Sequence, residues 1–344
     1  MKKIVYIYNP SRAHKILPLL EEWQVFLLKN WQDMWKLLIK PNEITMVIVD
    51  SFGRWSILAL ITSIGLKVPL IVRLRGEVFR EAHELVCTQP TLLKWLRYWS
   101  RIAIVKFCLW RANMLIFNSE YLAKKMASYS QGKSSAIVYN PYTEIKLSHD
   151  NSDTIYNLPK SNIHILTVTN MNLYSKIKPI IDVMDNWLTR FNLEKLDAFW
   201  IILGSGRYKT KLKEIIEKKE LNDRIILLGW VENTACFYEW CDVLIHLTYL
   251  DAFPNVPMEA MMHSKPVITN IDSCGTREQV FNGVNGFVCK NAESFLEALT
   301  TYANNADKIT EHGQSGKRLV VEKFSILRQK KEINVILKSL INNI

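Results

Sequence analysis

The sequence predicts an α/β protein of two doubly wound domains, each a parallel sheet with helices on both faces. Three observations lead there. The chain has 344 residues, which at about 150 residues per domain suggests two. Short β-branched runs alternate with helix-period segments from end to end, the pattern of right-handed βαβ units. The alternation pauses once, in the polar stretch from Thr143 to Asn162, and then restarts, as expected at a domain boundary.

Taken in order, the strand candidates of the first half are Lys3–Tyr8, Thr45–Asp50, Pro69–Arg73, Met114–Asn118 and Ala136–Tyr139. Those of the second half are Ile163–Thr169, Phe199–Leu203, Arg224–Leu228, Val243–Leu247 and Pro266–Asn270. Ser325 to Ile341 reads as a polar-apolar helix with no strand after it. The expected domains are residues 1–158, residues 159–324 and a C-terminal helical segment, 325–344, for which packing back on the first domain is expected. In such folds a ligand lies at the carboxyl ends of the strands.

Composition narrows the class. An apolar share of 49% with 22% charged residues excludes a mainly disordered chain. The longest mainly apolar run without charge, Trp55–Leu66, falls short of the roughly 20 residues a membrane-spanning helix needs. Met1-Lys2-Lys3 precedes only a short apolar run before Asn9-Pro10, less than the core of a secretory leader, so a cytoplasmic protein is expected. Six cysteines without ligand spacing read as small buried hydrophobes. Charge is lopsided: residues 1–162 hold 22 Lys/Arg against 12 Asp/Glu, whereas the rest hold 22 against 21. A one-sided basic domain suggests an anionic partner. Within Thr91–Phe117, Lys94, Arg97 and Arg101 share a helical face and are interleaved with Trp95, Tyr98, Trp99 and Trp110. Such a helix can lie on an anionic membrane, on the inner face in a cytoplasmic protein. It can equally be a packed helix with snorkelling charges. No nucleic-acid motif accompanies these charges, so nucleic acid is not an expected partner.

The most informative segment is Thr248–Gln279. Asp251 and Glu259 stand eight apart around an aromatic, proline-rich loop, and Pro257 suits the first turn of the helix that follows. A helix start after a strand offers N–H groups and a positive dipole to a phosphate. An acid placed there would oppose a phosphate but could reach a neutral hydroxyl such as a ribose. Alternatively, Glu259 complements its own helix dipole.

Asp251-Ala-Phe-Pro-Asn-Val-Pro-Met-Glu259-Ala-Met-Met-His-Ser-Lys-Pro266-Val267 resembles the E-x7-E signature of glycosyltransferase family 4, the retaining GT-B enzymes. Gly275-Thr-Arg-Glu278 and Gly283-Val-Asn-Gly286-Phe resemble the family's steps downstream of it, and Gly204-Ser-Gly206-Arg207 and Arg224-Ile-Ile-Leu-Leu-Gly229-Trp-Val231 those upstream. Phe117-Asn-Ser119-Glu and Tyr139-Asn-Pro141 fit late steps of its first domain. The resemblance implies a GT-B fold, two Rossmann-like domains facing a cleft, and a donor site in the second domain. By that resemblance Glu259 binds the donor ribose and Asp251 the sugar hydroxyls. The backbone around Phe253, Asn255 and Val256 approaches sugar and phosphates, Val231 borders the base, and Gly204, Gly206 and Arg207 belong to the donor site. Lys176 meets the diphosphate, whose negative charge grows as it leaves.

The sequence departs from the family pattern in several places. Asn170 stands where an Arg is usual, Asp251 is one methylene shorter than Glu, and Pro254 replaces a glycine. Tyr8-Asn-Pro-Ser-Arg12 lacks the common Gly-Gly loop. Val72-Arg-Leu-Arg75-Gly76-Glu77 puts Arg75 where relatives carry a His, so Arg75 and Glu77 are candidates for donor phosphate or acceptor hydroxyl, or for a strand-end salt bridge. The implied function is retaining, metal-independent transfer of a sugar from a UDP- or GDP-sugar to a lipid-linked, glycan or protein acceptor, without a cofactor. A sugar-nucleotide epimerase and an inactive sugar-nucleotide binder are the alternatives.

Overall fold

The structure, a computed structural model, describes residues 3–7, 17–28, 32–33, 35, 44–50, 56–88, 90–142 and 158–342. The Tyr8–Arg12 segment and most of the polar stretch from Thr143 lie outside them. The chain forms two compact units, one of Met1–Pro141 with Phe324–Ile344, the other of Tyr142–Lys323.

The first unit holds a six-stranded, all-parallel sheet: β1 (Lys3–Ile7), β2 (Gln24–Leu28), β3 (Ile44–Val49), β4 (Leu70–Leu74), β5 (Met114–Phe117) and β6 (Ser134–Ile137). The order β2-β1-β3-β4-β5-β6 reverses direction between β1 and β3, a flavodoxin-like arrangement. Helices α1 (Ser56–Gly65), α2 (Val78–Cys87), α3 (Leu92–Arg111), α4 (Glu120–Lys125) and α5 (Ala127–Ser130) connect its later strands. β4 is buried along its whole length, Arg73 included, as a strand covered on both faces must be. Thr91 caps α3 by accepting the Lys94 N–H at 3.3 Å.

The second unit holds another six-stranded parallel sheet: β7 (Ile163–Val168), β8 (Ala198–Leu203), β9 (Ile225–Gly229), β10 (Val243–His246), β11 (Val267–Asn270) and β12 (Gly286–Cys289). Its helices are α6 (Tyr174–Asn186), α7 (Arg190–Lys195), α8 (Lys209–Lys218), α9 (Ala235–Trp240), α10 (Val256–Met262), α11 (Ala292–Asn304) and α12 (Ala306–Lys323). The order β12-β11-β10-β7-β8-β9 is that of a Rossmann sheet, with its switch point between β7 and β10. Trp200, Ile165, Ile180, Phe295 and Leu299 are fully buried in its core.

The last helix, α13 (Ile326–Asn342), belongs to the first unit. Ile333 and Leu337 are buried there with Leu19, Leu20 and Trp23. Trp23 Nε1 donates to Asn334 Oδ1 at 2.5 Å, and Lys330 pairs with Glu21 at 2.6 Å. Ten of the twelve strands coincide with the sequence expectation to within two residues. The exceptions are β2 and β12, each the strand at one edge of its sheet.

Candidate functional site in the second unit

The site is built by the loops that leave the carboxyl ends of β7, β8, β9 and β10. Between β7 and α6, Asn170 Oδ1 accepts the Asn172 N–H at 2.9 Å, an Asx turn that shapes the loop. The β8–α8 turn lies directly on that loop. Gly204 has φ +131° and a Cβ there would stand 1.9 Å from Thr169 O; Gly206 has φ +150° and its Cβ would meet Met171 at 2.3 Å. Only glycine satisfies both demands. The two loops are further joined by the Met171 N–H, which donates to Ser205 O at 3.0 Å. A cavity of about 310 Å³ opens beside them, lined among others by Asn170, Gly204, Ser205, Trp230, Val231 and Thr234. Of the residues singled out in the sequence, Gly204 and Val231 line it, whereas Arg207 is an exposed side chain at the start of α8.

Lys176 and Asp251, 75 residues apart, meet: Lys176 Nζ donates to Asp251 Oδ1 at 2.6 Å. The contact is set by backbone, since the Tyr249 N–H donates to Ser175 O at 2.9 Å and ties the β10–α10 loop to the first turn of α6. Thr248 Oγ1 donates to Asp251 Oδ2 at 3.0 Å and accepts the Leu250 N–H at 3.1 Å. Behind the carboxylate lies His246, whose Nε2 is 3.9 Å from Asp251 Oδ2 and makes no hydrogen bond. Burial pushes the His246 imidazole down to about 4, against the opposing pull of Asp251 and with a further push from Lys176. Thus the imidazole is neutral, and Lys176 and Asp251 form the charged pair at the loop.

Glu259 sits in the first turn of α10. Its Oε2 accepts the Tyr238 O–H at 2.8 Å, and burial together with Glu259 pushes the Tyr238 phenol far up. Tyr238 therefore stays a neutral donor that fixes the carboxylate from below, and it stacks on His263 with ring centroids 5.6 Å apart. Phe253 is buried, while Asn255 and Val256 stand half-buried at the start of α10. The loop from Asp251 to Pro254 is gripped from β11's side. A Cβ on Gly275 would come within 1.6 Å of Ala252 O, the Gly275 N–H donates to Asp251 O at 2.9 Å, and buried Gln279 donates to Pro254 O at 2.8 Å.

Arg75 and Glu77 belong to the first unit. Asp50 Oδ1 lies 3.0 Å from Arg73 Nη1 and 3.2 Å from Arg75 Nε, all three side chains being nearly or fully buried. Arg73 Nη2 also donates to Asn140 Oδ1 at 3.1 Å. Glu77 Oε1 accepts the Tyr121 O–H at 2.6 Å. These two candidates are therefore held in a strand-end ion cluster and a hydrogen bond across to α4. Sequence reasoning passed over Tyr238, His246, Thr248 and Gln279. Among the described residues no group of three His, Cys, Asp or Glu side chains is arranged to hold a metal ion.

Residues 148–319 match the family described as Glycosyl transferases group 1. An alpha-1,3/1,6-mannosyltransferase of Dictyostelium discoideum is 30% identical over 158 residues, 42% of this chain and 37% of that one. The chain spans well under half of the length of the curated relatives it matches, 33% and 37% for two of them. Among solved structures, Anabaena HepE in complex with UDP superposes with a TM-score of 0.71 at 17% identity, covering 98% of this chain and 100% of that one. Sucrose-phosphate synthase from Thermosynechococcus elongatus superposes with a TM-score of 0.72 at 13% identity over the whole of both chains. At those identities the likeness is one of fold, and the fold is GT-B in class, built of two Rossmann-like α/β domains. The family match takes in Lys176, the Gly204–Gly206 turn, Asp251, Glu259 and the Gly275–Gln279 grip, and by it the chain belongs to the group 1 glycosyl transferases.

Proposed function

We propose that the protein is a retaining glycosyltransferase of family 4 that moves a sugar from a UDP- or GDP-sugar to a lipid-linked, glycan or protein acceptor. The observation that carries this reading is the Lys176–Asp251 pair, 2.6 Å apart at the carboxyl edge of a Rossmann-ordered sheet that also presents Glu259. A lysine ammonium has three donors, so Lys176 can keep Asp251 and still meet a diphosphate oxygen. The α6 N-terminus beneath it adds a positive dipole. Both favour the departing diphosphate more as its charge grows, which is the condition for lowering a barrier. In the transfer, the bond from the anomeric carbon to the diphosphate oxygen breaks and a bond to the acceptor oxygen forms on the same face. The acceptor's hydroxyl proton passes to the departing diphosphate.

Glu259, held by Tyr238, is placed to accept hydrogen bonds from the ribose hydroxyls, and Asp251 from the sugar. The base would occupy the cavity beside Val231 and Trp230. On this reading Glu77 serves the acceptor side, while Arg75 is held by Asp50, and no metal is required because Lys176 and helix N–H groups supply the positive charge. The basic first unit points to an enzyme that works against a membrane from the cytoplasmic side. Incubation with labelled UDP- and GDP-sugars in excess chelator tests the reading. Transfer or slow hydrolysis with net retention is expected, and Lys176→Ala should lower turnover more than it raises the donor's KM. An epimerised donor, binding without turnover, or activity restored only by added magnesium would overturn it.

A further inference from the structure

Helix α3 presents an uncovered apolar stripe along its entire length. Leu92 is 77% exposed, Leu96 58%, Trp99 60%, Phe107 47% and Trp110 70%. With exposed Ala103 these residues fall within about 80° of one another at 3.6 residues per turn, and the stripe runs about 30 Å. Singly exposed apolar side chains are ordinary, but a continuous stripe of this size marks a contact surface. The buried side of the same helix is separate: Ile102, Val105, Cys108 and Leu109 pack inward. Trp95 and Tyr98, grouped in the sequence with the exposed aromatics, are instead half-buried and pack edge-on around His83. The stripe is therefore more apolar, and differently placed, than the sequence alone suggested.

Charge says what can cover it. The helix carries Lys94, Arg97, Arg101, Lys106 and Arg111 and no acidic residue. Lys106 flanks one border of the stripe and Arg111 the other, with Arg97 about 80° beyond it, on a unit whose sequence already holds the chain's positive excess. A second copy laid on this face would set two acid-free basic helices against each other, a juxtaposition that costs association. An aqueous groove of a protein partner would need matching acids and a matching 30 Å trough. An anionic lipid surface needs neither: it takes the apolar side chains at the headgroup–acyl boundary and the cations among its phosphates. α1, which packs on α3 through Cys108 Sγ and Ser56 O, adds exposed Ile57, Ile61 and Ile64. No helix among the described residues is long and apolar enough to cross a membrane, so the contact is in-plane.

We propose that α3 lies in the plane of an anionic bilayer surface with Leu96, Trp99, Phe107 and Trp110 inserted between headgroups. This deepens, and rests on, the reading of an enzyme working against a membrane. The test is sedimentation of the full chain with phosphatidylcholine vesicles, with and without about one-third phosphatidylglycerol. Binding only to the anionic vesicles is expected, and each basic residue near the surface should contribute about fivefold. Arg97→Glu with Lys106→Glu should lower partitioning by more than tenfold, and Trp99→Ser with Trp110→Ser should do so at unchanged net charge. Both pairs are exposed, and each variant is checked for unchanged UDP and GDP binding by calorimetry, which reads the second unit. Equal binding to neutral vesicles, or an unaffected Trp99→Ser/Trp110→Ser protein, would overturn the insertion. So would a dimer in sedimentation equilibrium that dissociates in the Trp variant, because the face would then belong to a second copy. Absence of nucleotide binding by the unaltered chain would instead count against the transferase reading and leave the vesicle result standing.

Discussion

The two units share an alternating α/β pattern but use the carboxyl edges of their sheets differently. In the second unit that edge is open: glycines press two loops together, a cavity lies beside them, and Lys176, Asp251 and Glu259 are presented at its loops. In the first unit the ends of β3 and β4 are tied together by Asp50, Arg73 and Arg75, an ion cluster in the interior. The first unit's unspent chemistry is on a helix face instead. A Rossmann-like sheet thus supplies a place for a site, while the loop residues decide whether that place becomes a site or a structural lock.

If the first edge is a lock, removing it costs stability and spares the second unit's site. Asp50→Ala removes the carboxylate that Arg73 and Arg75 share in the interior, a loss of about 3–5 kcal/mol. Urea unfolding should show that loss, and nucleotide affinity measured at low denaturant should stay within about twofold. If affinity falls in step with stability, the two edges are not independent and the contrast between lock and site fails.

Next in size is Glu259. Charge-assisted hydrogen bonds to a ribose are worth about 1.5–3 kcal/mol, so Glu259→Gln should weaken nucleotide binding about 10- to 150-fold. A residue that only complements its helix dipole would contribute about 0.3–1 kcal/mol to stability and nothing to affinity. Calorimetry with UDP and GDP, read beside a melting curve, separates the two.

His246 makes the stability of the second unit depend on pH. Its imidazole is held near 4 in the fold against 6.5 in the free side chain. Below pH 6.5 the unfolded chain takes up a proton that the folded one refuses, so this contribution is intact above 6.5 and is lost as pH falls toward 4. The slope is at most about 1.4 kcal/mol per pH unit. The pH-dependent stability of the unaltered chain minus that of His246→Gln should show this slope between pH 6.5 and 4 and be flat above it.

How much of this was legible in the sequence varies by element for physical reasons. Strands buried on both faces, such as β5 and β8, announce themselves as unbroken apolar runs. β2, Gln-Val-Phe-Leu-Leu, lies at a sheet edge inside a stretch of leucines and tryptophans whose spacing reads as helix, and β12, Gly-Phe-Val-Cys, lies at the edge of the other sheet and opens on a glycine. The site's outline was legible because Asp251, Glu259 and the paired glycines sit in recognisable spacing. Its supports were not: Tyr238 in Ala-Cys-Phe-Tyr-Glu-Trp looks like any core aromatic, and His246 ends an apolar strand. Gln279 acts through a backbone carbonyl 25 residues away, which no local pattern reveals. Arg75 read equally as ligand or strand-end ion pair until Asp50 was seen beside it.

The smallest effect tests the least visible of these supports. Tyr238 is fully buried, and its hydroxyl is 2.8 Å from Glu259 Oε2. If the phenol only fills space, Tyr238→Phe removes its hydrogen bonds to Glu259 and Thr234, lowers stability by about 1–3 kcal/mol, and leaves nucleotide affinity alone. If it aims the carboxylate, the stability loss is accompanied by a weaker ribose contact, because a carboxylate free to rotate must be re-ordered on binding. That ordering costs about 0.5–1.5 kcal/mol, or about 2- to 12-fold in affinity. The decisive reading is the double variant: Tyr238→Phe in a Glu259→Gln background should change affinity no further, since the group being aimed has already lost its charge. An additive loss would mean that Tyr238 acts on the nucleotide by a route that bypasses Glu259.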